Sequence, residues 1–140
     1  AARFREQLAA AGLLDAVVDA GWVALDALPA TLAAADMGLY LMDDTLLNRT
    51  KCPVKLADML AAGVPVVAER VGQVAEYVRD GEIGALRASG DVAGLAAAAV
   101  ELLRATGERQ RLGVAARADV AMRFNWEKLA GDVEKVYLGG

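Results

Sequence analysis

The chain of 140 residues has no histidine and one cysteine, Cys52. Without histidine it supplies neither a Ser-His-Asp nor a Cys-His catalytic group, and most transition-metal sites lose their commonest ligand. A single cysteine excludes an internal disulfide and a cysteine-rich zinc site. Aromatic residues make up only 5% of the chain, so the core must be built from alanine, leucine and valine. No apolar run is long enough to cross a bilayer, and the first residues carry no signal-peptide pattern. Basic residues are outnumbered: 15 Lys and Arg against 19 Asp and Glu give a net charge of −4. They are also dispersed, which argues against a nucleic-acid partner. A single anionic ligand remains open, because it needs only a local positive site.

What is present is an alternation of short apolar runs and helical stripes. The length fits one domain, residues 1–140, with enough chain to bury a core. Phe4, Leu8 and Ala11 recur at helical spacing and predict a helix over 2–13, stopped by Gly12. Strands are predicted over 16–19, 37–42, 66–68 and 84–87, and short helices over 28–35 and 72–78. A polar loop is expected over 43–52. From residue 92 onward the pattern is helical, over 92–103, 108–124 and 126–137. Leu112, Ala115, Ala116 and Val120 form one inward stripe, and Leu129, Val133 and Val136 another. Trp126 and Tyr137 are read as packing residues. Strands alternating with helices predict an α/β fold, a doubly wound, Rossmann-like parallel sheet with helices on both faces and helices closing the carboxy terminus.

The segment 51–68 carries the most information. Pro53 lacks an N–H and suits the start of a helix. Gly63 sits where a helix ends in a left-handed residue. Pro65-Val66-Val67-Ala68 is an apolar run of the kind a parallel sheet buries on both sides. A helix start facing a strand end is an anion site, since free N–H groups and the helix dipole point outward together. Lys51, Lys55 and Asp58 flank this start at spacings of three and four, on one helix face. Phosphate and hydroxyls on one ligand would suit that set.

The same segment resembles the donor-binding signature of the retaining, GT-B-fold enzymes called glycosyl transferases group 1. Leu60-Ala61-Ala62-Gly63-Val64-Pro65-Val66-Val67-Ala68 matches the second half of that signature. The likeness continues in Leu28 to Asp36, in Gly72 with Glu76, in Asp80-Gly81-Glu82-Ile83-Gly84, and in Phe124-Asn125-Trp126-Glu127 followed by Tyr137. Two positions depart. The second glutamate of the family falls on Asp58, and the first falls on uncharged Thr50. Lys51, Pro53 and Lys55 fit a Lys-x-Pro-x-Lys version seen in part of the family.

The resemblance implies that the chain is a donor-binding domain for a nucleotide-diphosphate sugar, transferring the sugar to an acceptor hydroxyl. It implies further that the chain is a fragment lacking its first strand and an amino-terminal acceptor domain. The implied substrate-binding residues are Thr50, Lys51, Val54, Lys55, Asp58, Trp22, Val23 and Glu76. The backbone around Val54 would take a diphosphate, Asp58 the ribose hydroxyls, and Trp22 or Val23 the base. No catalytic residue, cofactor or metal is implied within this chain. The acceptor, a sugar, lipid or small molecule, would meet the other domain. The whole protein would be cytoplasmic, with room for peripheral membrane association. A nucleotide-sugar epimerase of the same fold, a non-catalytic flavodoxin-like binding module and a transferase that binds without turnover are the alternatives.

Overall fold

The computed structural model of the chain describes residues 2–139. Its elements in order are α1 (Ala2–Ala10), a 3₁₀ turn (Leu14–Ala16), α2 (Leu28–Ala33), β1 (Gly38–Tyr40), α3 (Leu46–Arg49), α4 (Val54–Ala61), β2 (Val66–Glu69), α5 (Val74–Tyr77), β3 (Gly84–Arg87), α6 (Val92–Arg104), α7 (Thr106–Arg123) and α8 (Trp126–Leu138). The strands form one parallel sheet in the order β1-β2-β3. Leu39 pairs with Val67, and Val67 with Ala85.

All four residues of β2 are buried. Side chains alternate across a strand, so the two faces of β2 need two separate covers. Val66 and Ala68 pack with Leu56 and Leu60 of α4, Ile83, Leu86, and Ala116 and Val120 of α7. Val67 points the other way, against Leu95, Ala98 and Leu102 of α6 and Leu112 of α7. The doubly wound arrangement follows. Gly63 ends α4 with φ +78°, as the sequence predicts. Its carbonyl lies so close to Gly113 of α7 that a Cβ there would come within 2.2 Å of the oxygen. Those two glycines set the α4–α7 distance.

The termini differ from expectation. Residues 16–19 form no strand; a single 3₁₀ turn, closed by bonds from Ala16 to Leu13 and from Val17 to Leu14, leads into extended chain. A strand needs a neighbour to hold its N–H and C=O groups, and no described residue pairs with the outer edge of β1. The predicted strand over 37–42 is shorter, Gly38–Tyr40, and the predicted loop over 43–52 contains the one-turn helix α3. Helix α8 forms, with Asn125 accepting from the Lys128 N–H at its start. None of its residues is buried. Leu129, Val133 and Val136, expected inward, and Trp126 and Tyr137, expected to pack, face solvent. The stripe of α7 closes the core among the described residues, and α8 adds no buried side chain to it.

Asp119 of α7 is buried and bonded by Arg79 and Arg123, with Arg123 Nε at 2.8 Å. Burial alone would push its carboxyl up, but the hydrogen bonds from Arg123 and Arg79 outweigh that and hold it below the usual range. A depressed folded value means the stabilisation is complete above the unfolded pKa, near ~3.9, and is lost as pH falls through the folded value. Asp119→Ala is expected to lower stability at pH 7 by about 3 kcal/mol, at the low end for a broken buried pair because both guanidiniums reach water. Denaturant unfolding of both proteins should show that difference shrinking below pH 4. A constant difference would remove the ion pair as its cause.

Candidate functional site

Parallel strands put all their carboxyl ends at one edge of the sheet, where open α/β sheets take ligands. Here that edge is built from the segments after Tyr40, Glu69 and Arg87. The first of them, residues 41–53, is held along its length. Thr45 caps α3 by accepting from the Asn48 N–H at 3.2 Å, and Asn48 donates to the Asp43 carbonyl at 2.9 Å. Arg49 forks onto Asp44 at 2.6 and 2.8 Å, and that hydrogen bond holds the Asp44 carboxyl below its usual range. Gly72 meets the same segment from the next strand end. With φ +51° and a would-be Cβ at 2.5 Å from the Arg49 carbonyl oxygen, the position admits no side chain without displacing α3. At the far end Cys52 Sγ lies 3.5 Å from the Tyr77 hydroxyl. Tyr77 stacks on Phe124 with ring centroids 4.6 Å apart. Its bond to Cys52, helped by burial, pushes the Tyr77 phenol up to about 12.

At the start of α4 the structure corrects one expectation. Pro53 is buried with φ −83° and ψ 62°, the centre of an inverse γ-turn in which the Val54 N–H bonds the Cys52 carbonyl at 3.0 Å. The Val54 amide is therefore taken. Leu56 and Ala57 both donate to the Pro53 carbonyl, which leaves the Lys55 N–H as the amide of this turn without an acceptor among the described residues. The Val54 side chain is exposed rather than facing the sheet, while Leu56 and Leu60 do face it. Lys51 Nζ bonds Asn48 Oδ1 at 2.9 Å. The Lys55 side chain is exposed and makes no ion pair with Asp58. Thr50 turns its hydroxyl back to the Leu46 and Leu47 carbonyls, at 3.3 and 3.1 Å, so it faces α3 rather than an incoming ligand.

Asp58, half-buried, lies one turn further on. It lines a groove of about 520 Å³ with Leu25, Leu28, Pro29 and Leu32 on one side and Arg117 of α7 on another. Of the two residues expected to meet a base, Val23 is half-buried and Trp22 is 96% exposed. Neither lines the groove; Leu25 does. Glu76 sits exposed on α5, and its carboxylate bonds nothing among the described residues, so it does not tie down the Gly72 turn. The structure thus sets Thr50, Lys51, Val54, Lys55 and Asp58 in order along one helix start, while neither Trp22 nor Glu76 lines the groove. A second cleft of about 290 Å³ runs along β3, but Asp80, Glu101 and Glu108 line it against one Arg87, which disfavours an anion.

Sequence reading missed Glu69. It ends β2, is 8% exposed, and accepts from the Met42 N–H at 2.8 Å and the Gly90 N–H at 2.7 Å. The available signal was a carboxylate closing a wholly apolar strand, where burial demands partners.

Comparison with known proteins bears on the family and the fold. A family model described as Glycosyl transferases group 1 matches residues 1–105. Phosphatidyl-myo-inositol mannosyltransferase of Mycobacterium leprae is 42% identical over 84 residues, 60% of this chain and 22% of that protein. Among solved structures, sucrose-phosphate synthase from Thermosynechococcus elongatus superposes with a TM-score of 0.80 at 26% identity, over 98% of this chain and 33% of that one. Anabaena HepE, solved in complex with UDP-glucose, superposes with a TM-score of 0.83 at 22% identity, over 99% of this chain and 36% of that one. The chain therefore spans between about a fifth and rather more than a third of these three proteins. The fold is the one expected for half of a GT-B enzyme.

The anchoring of the site loop has a spectroscopic consequence. Cys52→Ala removes the main cause of the raised Tyr77 value, so that phenol should ionise closer to the ordinary ~10. Absorbance of tyrosinate during an alkaline titration reads this directly. A Tyr77 that still lags in the variant would mean that Cys52 does not hold it.

Proposed function

Because the chain belongs to the glycosyl transferases group 1 family, we propose that it is the carboxy-terminal, donor-binding half of a retaining GT-B glycosyltransferase. Its ligand is a nucleotide-diphosphate sugar, whose sugar passes to an acceptor hydroxyl on a sugar, lipid or small molecule. One observation carries the reading. The Lys55 N–H is unpaired at the start of α4, beside two lysines, and Asp58 stands one turn away in a groove. The first three suit a diphosphate; the fourth suits two adjacent ribose hydroxyls. The UDP-glucose in Anabaena HepE supports the same ligand class through the shared fold.

In such a transfer the sugar's anomeric carbon loses a nucleoside diphosphate, and negative charge grows on the departing phosphate. Donors already aimed at that charge lower the barrier without rearranging as it develops. The Lys55 N–H and ammonium, with Lys51, would act there, and the step asks nothing of a metal. No side chain of this chain is assigned as a general base. Retention is read as transfer on one face, with the leaving phosphate taking the acceptor proton. No helix among the described residues is long and apolar enough to cross a membrane, and we place the protein in the cytoplasm. Thr50 favours a second reading, donor binding without turnover, because its hydroxyl is bonded within α3 and does not replace a carboxylate.

Amide NMR titration with UDP, GDP and ADP should give shifts centred on residues 50–58 for one of them. Asp58→Ala should weaken that nucleotide about tenfold, the loss of roughly one charged hydrogen bond. Unchanged affinity would take Asp58 out of the site. Consumption of the matching nucleotide sugar by the protein would exclude binding without turnover.

A further inference from the structure

We infer that Glu69 is a positioning residue for the donor site, acting through the two loops it joins and not by touching the ligand. Four observations carry this. Glu69 is the last residue of the central strand and is 8% exposed. One carboxylate oxygen accepts from Met42, 27 residues earlier, and the other from Gly90, 21 residues later. Both oxygens are therefore committed to backbone N–H groups, and no cationic side chain pairs with it among the described residues. The two loops it joins also touch each other directly, with Ser89 Oγ 3.5 Å from the Met42 carbonyl oxygen.

Position gives these bonds their consequence. Met42 stands near the start of the segment 41–53, which carries Lys51 and leads into α4. That segment is fixed at Met42 by Glu69, at Arg49 by Gly72 and at Cys52 by Tyr77. Of the three, only the Glu69 attachment is to the central strand, which is fully buried. Releasing it frees the segment at the end where it leaves the sheet. Lys51, carried on that segment, then loses its fixed place relative to the Lys55 N–H and Asp58, whose shared helix α4 stays packed through Leu56 and Leu60. Preorganised donors work because they need no reordering when the ligand arrives. The proposal rests on the donor reading given above.

The chemistry selects the variant. Glutamine has the same shape, but its amide offers one oxygen and one NH₂, so Glu69→Gln sets a donor against either the Met42 or the Gly90 N–H. In the 140-residue chain, amide hydrogen exchange at whichever of these faces the NH₂ should quicken at least tenfold. Exchange at Val67 and Leu86 in the core should stay the same. Affinity for the nucleotide found by titration should fall about fivefold to tenfold. Unchanged affinity alongside quickened exchange would overturn the positioning role. Unchanged exchange at both amides would overturn the clamp itself. If Glu69→Gln does not fold, exchange in the unaltered chain decides: Met42 and Gly90 should be protected at least tenfold over Asp44 and Ser89, whose N–H groups have no partner among the described residues. Equal exchange there would overturn the clamp. Silence of the unaltered chain towards all three nucleotides would overturn the donor reading, and the exchange data would still judge the clamp on their own.

Discussion

A parallel strand with no solvent-facing side must be covered by helices twice over, and β2 is such a strand. Val66 and Ala68 require α4 and α7 on one face, while Val67 requires α6 on the other. Those covers can be reached only by crossing connections that leave each strand at the same edge. The gathering of loops at the carboxyl ends of β1, β2 and β3 is thus a consequence of burying four residues. Glu69 completes the logic: the strand that is most buried ends in a carboxylate, and that carboxylate satisfies itself with the loops on either side.

Around the edge, the division between polar groups that are bonded and those that are free defines what the site can do. The Thr50 hydroxyl, the Asn48 amide, the Asp44–Arg49 pair and the Val54 N–H all hold the loop to itself. At the start of α4, the Lys55 N–H and ammonium, and Asp58 along its groove, stay without a partner among the described residues. A loop held by this many of its own bonds presents its remaining groups in fixed places, which suits recognition of one charged ligand better than adaptable capture of many. The raised Tyr77 phenol and its stack on Phe124 tie the same loop to the end of α7, so the site is coupled to the helical layer at its far end.

Local pattern made α4, β2, α6 and α7 readable, because each has a buried stripe whose spacing is set within a few residues. Gly63 was readable for the same reason. The segment over 16–19 looked like a strand by composition, yet strand formation depends on a neighbouring edge that composition does not report. In α8, Leu129, Val133 and Val136 keep correct helical spacing, but the spacing predicts a face without saying what lies opposite. At Pro53 the helix begins one residue later than the proline suggests, and of the amides around Val54 it is that of Lys55 that stays free, since a γ-turn is a matter of ψ and not of residue type. Glu69 escaped notice because its partners are 21 and 27 residues away. The family likeness carried Asp58 and the lysines, where spacing alone allowed an ordinary solvated helix face.

The most direct test is a crystal structure of this chain with the nucleoside diphosphate that it binds. The account predicts a diphosphate at the start of α4, within hydrogen-bond distance of the Lys55 N–H, with ribose hydroxyls on Asp58. A nucleotide lying in the cleft along β3, or one whose phosphates do not approach Lys55, would contradict it.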